Sequence, residues 1–183
     1  MLNKRTATNA LIVIICAAYL AQQIFPDLKF QLLLPGLDYL QYSNEWYRLI
    51  TVALTHGGLM HLGFNMYSLY ILGTPIESAY GRNKFLTIFT ISLLTGSLTS
   101  VFLNTSNFAS VGASGAIFGL FGALAIVGLN SKNLVIGVDF RSIVVIIGIN
   151  FAFGFAMGGV DWRAHLGGLI GGVVAAQLVM ARR

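Results

Sequence analysis

Residues 112–129 read GASGAIFGLFGALAIVGL, and residues 164–180 read AHLGGLIGGVVAAQLVM. Both stretches are apolar and rich in glycine, and each begins with one side chain of reactive chemistry, Ser114 in the first and His165 in the second. Polar groups are costly inside a bilayer and are usually retained there for function. A serine and a histidine at the starts of two apolar helices therefore indicate a nucleophile and its base within a membrane.

The composition of the chain supports a membrane protein. Of its 183 residues, 56% are hydrophobic and only 9% are charged, whereas an ordinary soluble domain has about 25% charged residues. The formal net charge of +5 would suit a nucleic-acid partner, but the basic residues are scattered in short connections and are better explained as topology signals. No nucleic-acid partner is therefore predicted. Cys16 is the only cysteine, which excludes a disulfide within the chain.

Six apolar segments approach the length of a membrane span, which is about 20 residues. These segments cover residues 8–25, 59–77, 84–103, 114–129, 142–157 and 165–180. The predicted fold class is all-α: a polytopic membrane protein with a bundle of six transmembrane helices. Residues 1–183 are expected to form a single membrane domain without a separate soluble domain. The connection over residues 26–58 is rich in leucine and aromatic residues, so it is predicted to be helical and to lie in the membrane interface.

Lysine and arginine concentrate on alternate connections between these segments. The residues on one side are Lys4, Arg5, Arg82, Lys84, Lys132, Arg141, Arg182 and Arg183. The positive-inside rule places this side, and with it both termini, in the cytoplasm. A basic pair followed by an apolar run also resembles a secretory leader. Removal of such a leader would leave an odd number of spans and break the charge pattern, so we expect the first segment to be retained.

This topology brings four polar residues to one depth. The second, fourth and sixth segments begin on the outer side, and the residues within their first two turns are His61, Asn65, Ser114 and His165. Three helices from distant parts of the sequence would thus contribute to the same region. The pattern predicts one site that opens toward the outer side of the membrane.

Each of the two reactive residues also has a packing explanation. Gly115 begins a Gly-x-x-x-Gly motif, and His165 is followed by two overlapping patterns of the same kind, which are typical of close helix contacts in membranes. Close approach is also what a Ser–His hydrogen bond between two helices requires. Glycines at 112 and 115 would let the backbone turn sharply around Ser114, and the N–H groups of a helix start can stabilise an oxyanion.

Other residues are predicted to support this pair. His61 and Asn65 are spaced i, i+4 on one helix face and are candidate oxyanion donors. His56 is predicted to line a polar cavity with them. Phe118, one turn after Ser114, is predicted to stack on the imidazole of His165.

The predicted catalytic unit is a dyad. Asp161, four residues before His165, is better placed to cap the last helix than to act as a third member. A metal site made of His56, His61 and His165 is an alternative to the dyad. It is disfavoured because the chain contains no His-Glu-x-x-His pattern and no second cysteine. We therefore expect neither a metal nor another cofactor.

The ordered set of motifs resembles the rhomboid intramembrane serine proteases. The motifs that carry the resemblance are Trp46-Tyr47-Arg48, His61-x-x-x-Asn65, Glu77 with Gly81-Arg82, Gly112-Ala113-Ser114-Gly115, and Ala164-His165 with the glycines after it. Any one of them is weak evidence, but their order along the chain is specific. One departure is Phe118, where several members of the family have tyrosine. The phenyl ring keeps the stacking surface and lacks the hydroxyl.

The resemblance implies an intramembrane serine endopeptidase of the minimal six-span bacterial type in the inner membrane. It implies that Ser114 and His165 are catalytic, that Asn65 and His61 form the oxyanion hole, and that the substrates are transmembrane proteins in the lipid bilayer. The fifth segment, with Phe151, Phe153 and Phe155, is a candidate lateral gate, and residues 157–159 are a candidate mobile cover.

Two other classes of function remain open at this stage. The leading alternative is a catalytically silent factor that binds membrane proteins. A transporter is less favoured, because neither an inverted repeat nor an acidic residue at mid-membrane depth is evident. Labelling by a serine-directed fluorophosphonate would distinguish the protease from both.

Overall fold

The computed structural model describes residues 6–105, 107–130, 141, 143–145, 147–148 and 160–180. The named elements in this part are helical, with a 3₁₀ turn at Val52–Leu54 after the fourth helix. The helices are α1 (Ala7–Ile24), α2 (Pro26–Leu32), α3 (Leu37–Ser43), α4 (Arg48–Thr51), α5 (Leu59–Tyr80), α6 (Arg82–Leu103), α7 (Ser114–Asn130) and α8 (Trp162–Met180). Helices α1, α5, α6, α7 and α8 correspond to five of the six predicted spans, with ends shifted by up to a turn. Most of the predicted fifth span, 142–157, lies outside the described residues.

Two of the described helices, α1 and α6, are long and apolar enough to cross a membrane by length and composition. The apolar part of α7, Ser114–Val127, is shorter. Helix α5 is also long, but His61, Asn65 and Glu77 lower its mean hydropathy. Large apolar side chains on the outer faces of the helices are more than half exposed, among them Val13, Leu20, Tyr67 and Ile170. Lipid is the environment in which such faces are stable.

One glycine face of α8 packs against α7. A side chain at Gly168 would collide with the carbonyl oxygen of Gly115, and one at Gly172 would collide with that of Gly119. The two backbones are therefore in direct contact, which only glycine permits.

The other glycine face of α8 packs against α6. A side chain at Gly167 would collide with the hydroxyl of Thr99, and one at Gly171 with that of Thr95. The two overlapping glycine patterns of the sequence thus serve two different neighbours. Helix α8 is packed between α6 and α7, and its first turn, which carries His165, is held by both.

Glu77 joins the start of α1 to the last turns of α5. Its carboxylate accepts hydrogen bonds from the backbone N–H groups of Ala7 (2.6 Å) and Thr8 (2.9 Å) and from the Thr8 hydroxyl (2.7 Å). The N–H groups of the first helical turn have no partner within their own helix. A carboxylate from α5 therefore caps α1, which explains the acidic residue in an otherwise apolar segment.

The connection before α5 contains three short helices, and Arg48 organises them. Its guanidinium, in a side chain that is 95% buried, pairs with Glu45 at 2.6 Å. It also donates to the carbonyl oxygens of Phe30 and Leu33. Backbone hydrogen bonds between Leu34 and Ser110, at 3.1 and 2.8 Å, then join this connection to the loop that leads into α7. This connection thus supports the loop that precedes Ser114.

Candidate active site

Ser114 is the first residue of α7, and the chain before it is held in a sharp turn. Gly112 has φ +113°, a backbone conformation that side chains rarely adopt. Its N–H donates to the carbonyl oxygen of Val52 at 3.1 Å. The turn places Ser114 at the edge of a cavity and at a helix start, where the first N–H groups have no partner within the helix.

His165 reaches Ser114 from α8. Its Nε2 lies 2.9 Å from Ser114 Oγ, although the two residues are 51 positions apart in the sequence. This is hydrogen-bond distance, and it is the separation at which an imidazole can take the proton of a hydroxyl. The His165 side chain is buried, with a relative exposure of 7%, so the pair is shielded from bulk water on most sides.

The ring of Phe118 fixes the plane of the imidazole. The two rings are stacked, with 4.1 Å between their centroids and 12° between their planes. Phe121, one turn further along α7, contacts the ring of Phe118 edge-on at 5.9 Å. The stacking is the contact that the spacing of Ser114 and Phe118 predicted.

His61 presents an N–H group to the same cavity. The backbone N–H of Gly57 donates to His61 Nδ1 at 3.3 Å, so the neutral ring has its proton on Nε2. A Cβ on Gly112 would lie 3.0 Å from this Nε2. The absence of a side chain at position 112 therefore makes room for the His61 ring beside the serine turn.

Asn65 lies one turn after His61 on α5. Its Nδ2 donates to the carbonyl oxygen of His61 at 2.9 Å, and the amide has a second N–H hydrogen. The side chain is largely buried and borders the cavity. The two predicted oxyanion donors thus face the region in front of Ser114.

The cavity has a volume of about 590 Å³ and lies between α5, α7 and the start of α8. Its polar wall contains His61, Asn65, Ser114, Asp161 and His165, and its apolar wall contains Phe64, Phe108, Ile117, Phe118 and Phe121. An apolar lining with a few converging polar groups is typical of ligand-binding cavities.

His56 was predicted to line the cavity, and this part of its prediction was wrong. His56 does not border the cavity but lies behind His61, with an exposure of 2%. The two rings meet edge to face at 5.1 Å. Burial, and secondly the nearby His61, lower the pKa of His56 to about 4. His56 is therefore neutral at physiological pH and supports the orientation of His61 by packing.

Asp161 caps α8 as predicted, since its Oδ1 accepts the N–H of Ala164 at 3.1 Å. The carboxylate also accepts hydrogen bonds from Ser100 and Asn104 at the end of α6. These two partners were not predicted, although their i, i+4 spacing placed them on one face.

The proposed gate residues Phe151, Phe153 and Phe155 and the proposed cover at 157–159 lie outside the described residues.

The comparisons with known proteins all indicate the rhomboid family. A family model described as the rhomboid domain matches residues 43–182. The rhomboid protease GluP of Bacillus subtilis is 45% identical over 134 residues, which cover 73% of this chain and 26% of GluP. YdcA of the same bacterium is 31% identical over 77% of this chain and 71% of its own length. RHOMBOID-like protein 6, mitochondrial, of Arabidopsis thaliana is 39% identical over 71% of this chain and 42% of its own length. The chain thus spans about a quarter of GluP and less than half of the plant protein.

Proposed function

Because the chain belongs to the rhomboid family, and is in consequence a multi-pass membrane protein, we propose that it is an intramembrane serine endopeptidase with a Ser114–His165 dyad. The observation that carries this proposal is the 2.9 Å contact between His165 Nε2 and Ser114 Oγ. A packing role alone would not require a nucleophile and a base from separate helices to meet at the edge of a cavity.

The proposed reaction has two stages. His165 Nε2 takes the proton of Ser114 as Oγ attacks the peptide carbonyl, and it then gives that proton to the leaving amine. Water enters next, loses a proton to His165 and hydrolyses the acyl-enzyme, which restores the Ser114 hydroxyl. The negative charge on the carbonyl oxygen is stabilised by the backbone N–H of Ser114, Asn65 Nδ2 and His61 Nε2.

The proposed substrates are transmembrane segments of other membrane proteins. In a helical segment the carbonyls are engaged in backbone hydrogen bonds, so the segment must unwind before Ser114 can attack it. Glycine or proline near the scissile bond lowers the cost of unwinding. The apolar wall formed by Phe64, Phe118 and Phe121 suits the side chains of such a segment.

The proposed architecture is a single domain of six transmembrane helices over residues 1–183, with the fifth in the region of residues 142–157. We place both termini in the cytoplasm, the protein in the inner membrane and the cavity on the outer side. The distribution of lysine and arginine supports this orientation.

Cleavage of a single-span substrate by the purified protein in lipid vesicles tests the proposal. The protease is expected to cut a substrate with a glycine-containing span at one or a few peptide bonds, and to cut a leucine-only span more slowly. A folded protein that binds both substrates and cuts neither would instead support the silent binding factor. Product masses distinguish specific cleavage from contaminating proteases.

Asn65→Ala is expected to slow cleavage without stopping it. Loss of one oxyanion donor lowers kcat by about 10²–10³-fold in soluble serine proteases. Here the remaining donors on Ser114 and His61 reduce the loss, so we expect a decrease of about 10-fold to 100-fold at nearly unchanged KM. Kinetics in vesicles measure the effect. An unchanged kcat would remove Asn65 from the oxyanion hole, and an unfolded variant would make its role structural.

A further inference from the structure

The carboxylate of Asp161, four residues before His165, joins the start of α8 to the end of α6. Oδ1 accepts the N–H of Ala164 at 3.1 Å and the Nδ2 of Asn104 at 3.1 Å. Oδ2 accepts the hydroxyl of Ser100. One bond therefore caps α8, and two bonds tie that cap to the end of α6.

A second contact strengthens the same connection. Arg163 in the first turn of α8 donates to Asn104 Oδ1 at 2.9 Å. Asn104 Nδ2 also donates to Ser100 Oγ at 3.1 Å. Because Asn104 serves both Asp161 and Arg163, the start of α8 is attached to α6 through a connected network rather than one bond. Polar networks in which each member has partners hold one defined arrangement.

The residues of this network on α8 are close in the sequence to His165. The backbone N–H of His165 donates to the carbonyl oxygen of Asp161 at 3.2 Å. Close backbone contacts begin in the same turn, since a Cβ added at Gly96 of α6 or at Gly115 of α7 would lie 2.8 or 3.3 Å from the carbonyl oxygen of Ala164. Ser114 is positioned by different contacts, in particular the bond between Gly112 and Val52. The distance between the two catalytic side chains therefore depends on how the first turn of α8 is held.

We infer that Asp161, together with Ser100 and Asn104, is the positioning residue that holds His165 within reach of Ser114. This inference rests on the proposed dyad. Asp161 does not take a proton in the reaction; it fixes the start of α8 against α6. A displacement of about 1 Å between reacting groups can lower a rate by about 100-fold, so the network is expected to affect the chemical step more than substrate binding.

Two substitutions at position 161 separate positioning from the loss of a charge. Asp161→Ala removes the cap and both bonds to α6. Asp161→Asn removes the charge and keeps an oxygen for the N–H of Ala164, and asparagine is as good an N-cap as aspartate. Asp27→Asn is the matched control, because Asp27 is exposed at the start of α2. The measurements are the rate constant of fluorophosphonate labelling, kcat and KM for a single-span substrate, and thermal unfolding in detergent.

Asp161→Ala is expected to lower the labelling rate constant and kcat together by about 10-fold to 100-fold, with KM within about twofold of wild type. Asp161→Asn is expected to recover most of this loss, and Asp27→Asn to match wild type. A labelling rate for Asp161→Ala within about twofold of wild type would overturn the inference. A rise in KM at constant kcat, or an Asp161→Asn variant as slow as Asp161→Ala, would also overturn it.

The double variant Ser100→Ala/Asn104→Ala tests the same inference if Asp161→Ala does not fold. It leaves the cap on Ala164 intact and removes the hydrogen bonds from Asp161 and Arg163 to the end of α6. We expect slower labelling at temperatures well below its unfolding transition, and a wild-type rate would overturn the inference. Failure of the proposed dyad would have a different signature, since wild-type protein would then be labelled no faster than Ser114→Ala.

Discussion

Ser114→Ala is expected to lose all cleavage of single-span substrates while the protein remains folded. The substitution removes one oxygen atom, and alanine is well accommodated at the start of a helix. In soluble serine proteases, loss of the nucleophile lowers kcat by about 10⁶-fold, so product formation should fall below detection. The measurement is product formation by purified protein in vesicles, together with its unfolding temperature.

Ser78→Ala is the matched control for this variant. Ser78 is exposed near the end of α5, where the same change removes a hydroxyl that does not border the cavity. It is expected to cleave at the wild-type rate. Cleavage by purified, folded Ser114→Ala protein would remove the dyad from the account and leave the hydrolysis without a nucleophile.

Among the substitutions proposed for this chain, Gly168→Val is expected to cause the largest loss of stability. Any Cβ at this position would collide with the carbonyl oxygen of Gly115, and a branched side chain would push α8 away from α7. Overpacking in a close-packed interior costs about 1–3 kcal/mol and sometimes more. Activity should fall with stability, since the two helices carry Ser114 and His165. Thermal unfolding in detergent and cleavage in vesicles measure the two effects.

Gly63→Val provides the comparison for this prediction. Gly63 also lies within a helix, but nothing is within 4 Å of the position of an added Cβ, and the residue is exposed. We expect this variant to be close to wild type in stability. A Gly168→Val protein with wild-type stability and activity would contradict the direct backbone contact between α7 and α8.

The central pair of the site was predictable because its chemistry conflicts with its surroundings. A serine and a histidine in apolar segments are conspicuous, and the alternation of basic connections predicts that both lie at one depth. The stacking of Phe118 followed from helical spacing, since residues four apart share a face. The glycine patterns predicted close packing of the last helix, although they did not identify which neighbour each face meets.

Other features depend on long-range geometry that spacing does not contain. His56 is buried because of the path of the short loop before α5, which the sequence does not reveal. From its polar side chain alone, His56 was expected in the wall of the cavity. The partnership of Asp161 with Ser100 and Asn104 joins residues about 60 positions apart, and each of them is an ordinary polar residue near a helix end. The role of Glu77 as a cap of α1 likewise becomes evident only when α1 is placed beside α5.

Identification of the residue that reacts with a fluorophosphonate tests the central claim most directly. Wild-type protein in detergent is labelled, digested and analysed by mass spectrometry, beside His165→Ala protein that has been shown to be folded. We expect one adduct, on Ser114, in wild-type protein, and no adduct in His165→Ala protein, because the hydroxyl is a weak nucleophile without its base. An adduct on another residue, or undiminished labelling of Ser114 in the His165→Ala variant, would contradict the account.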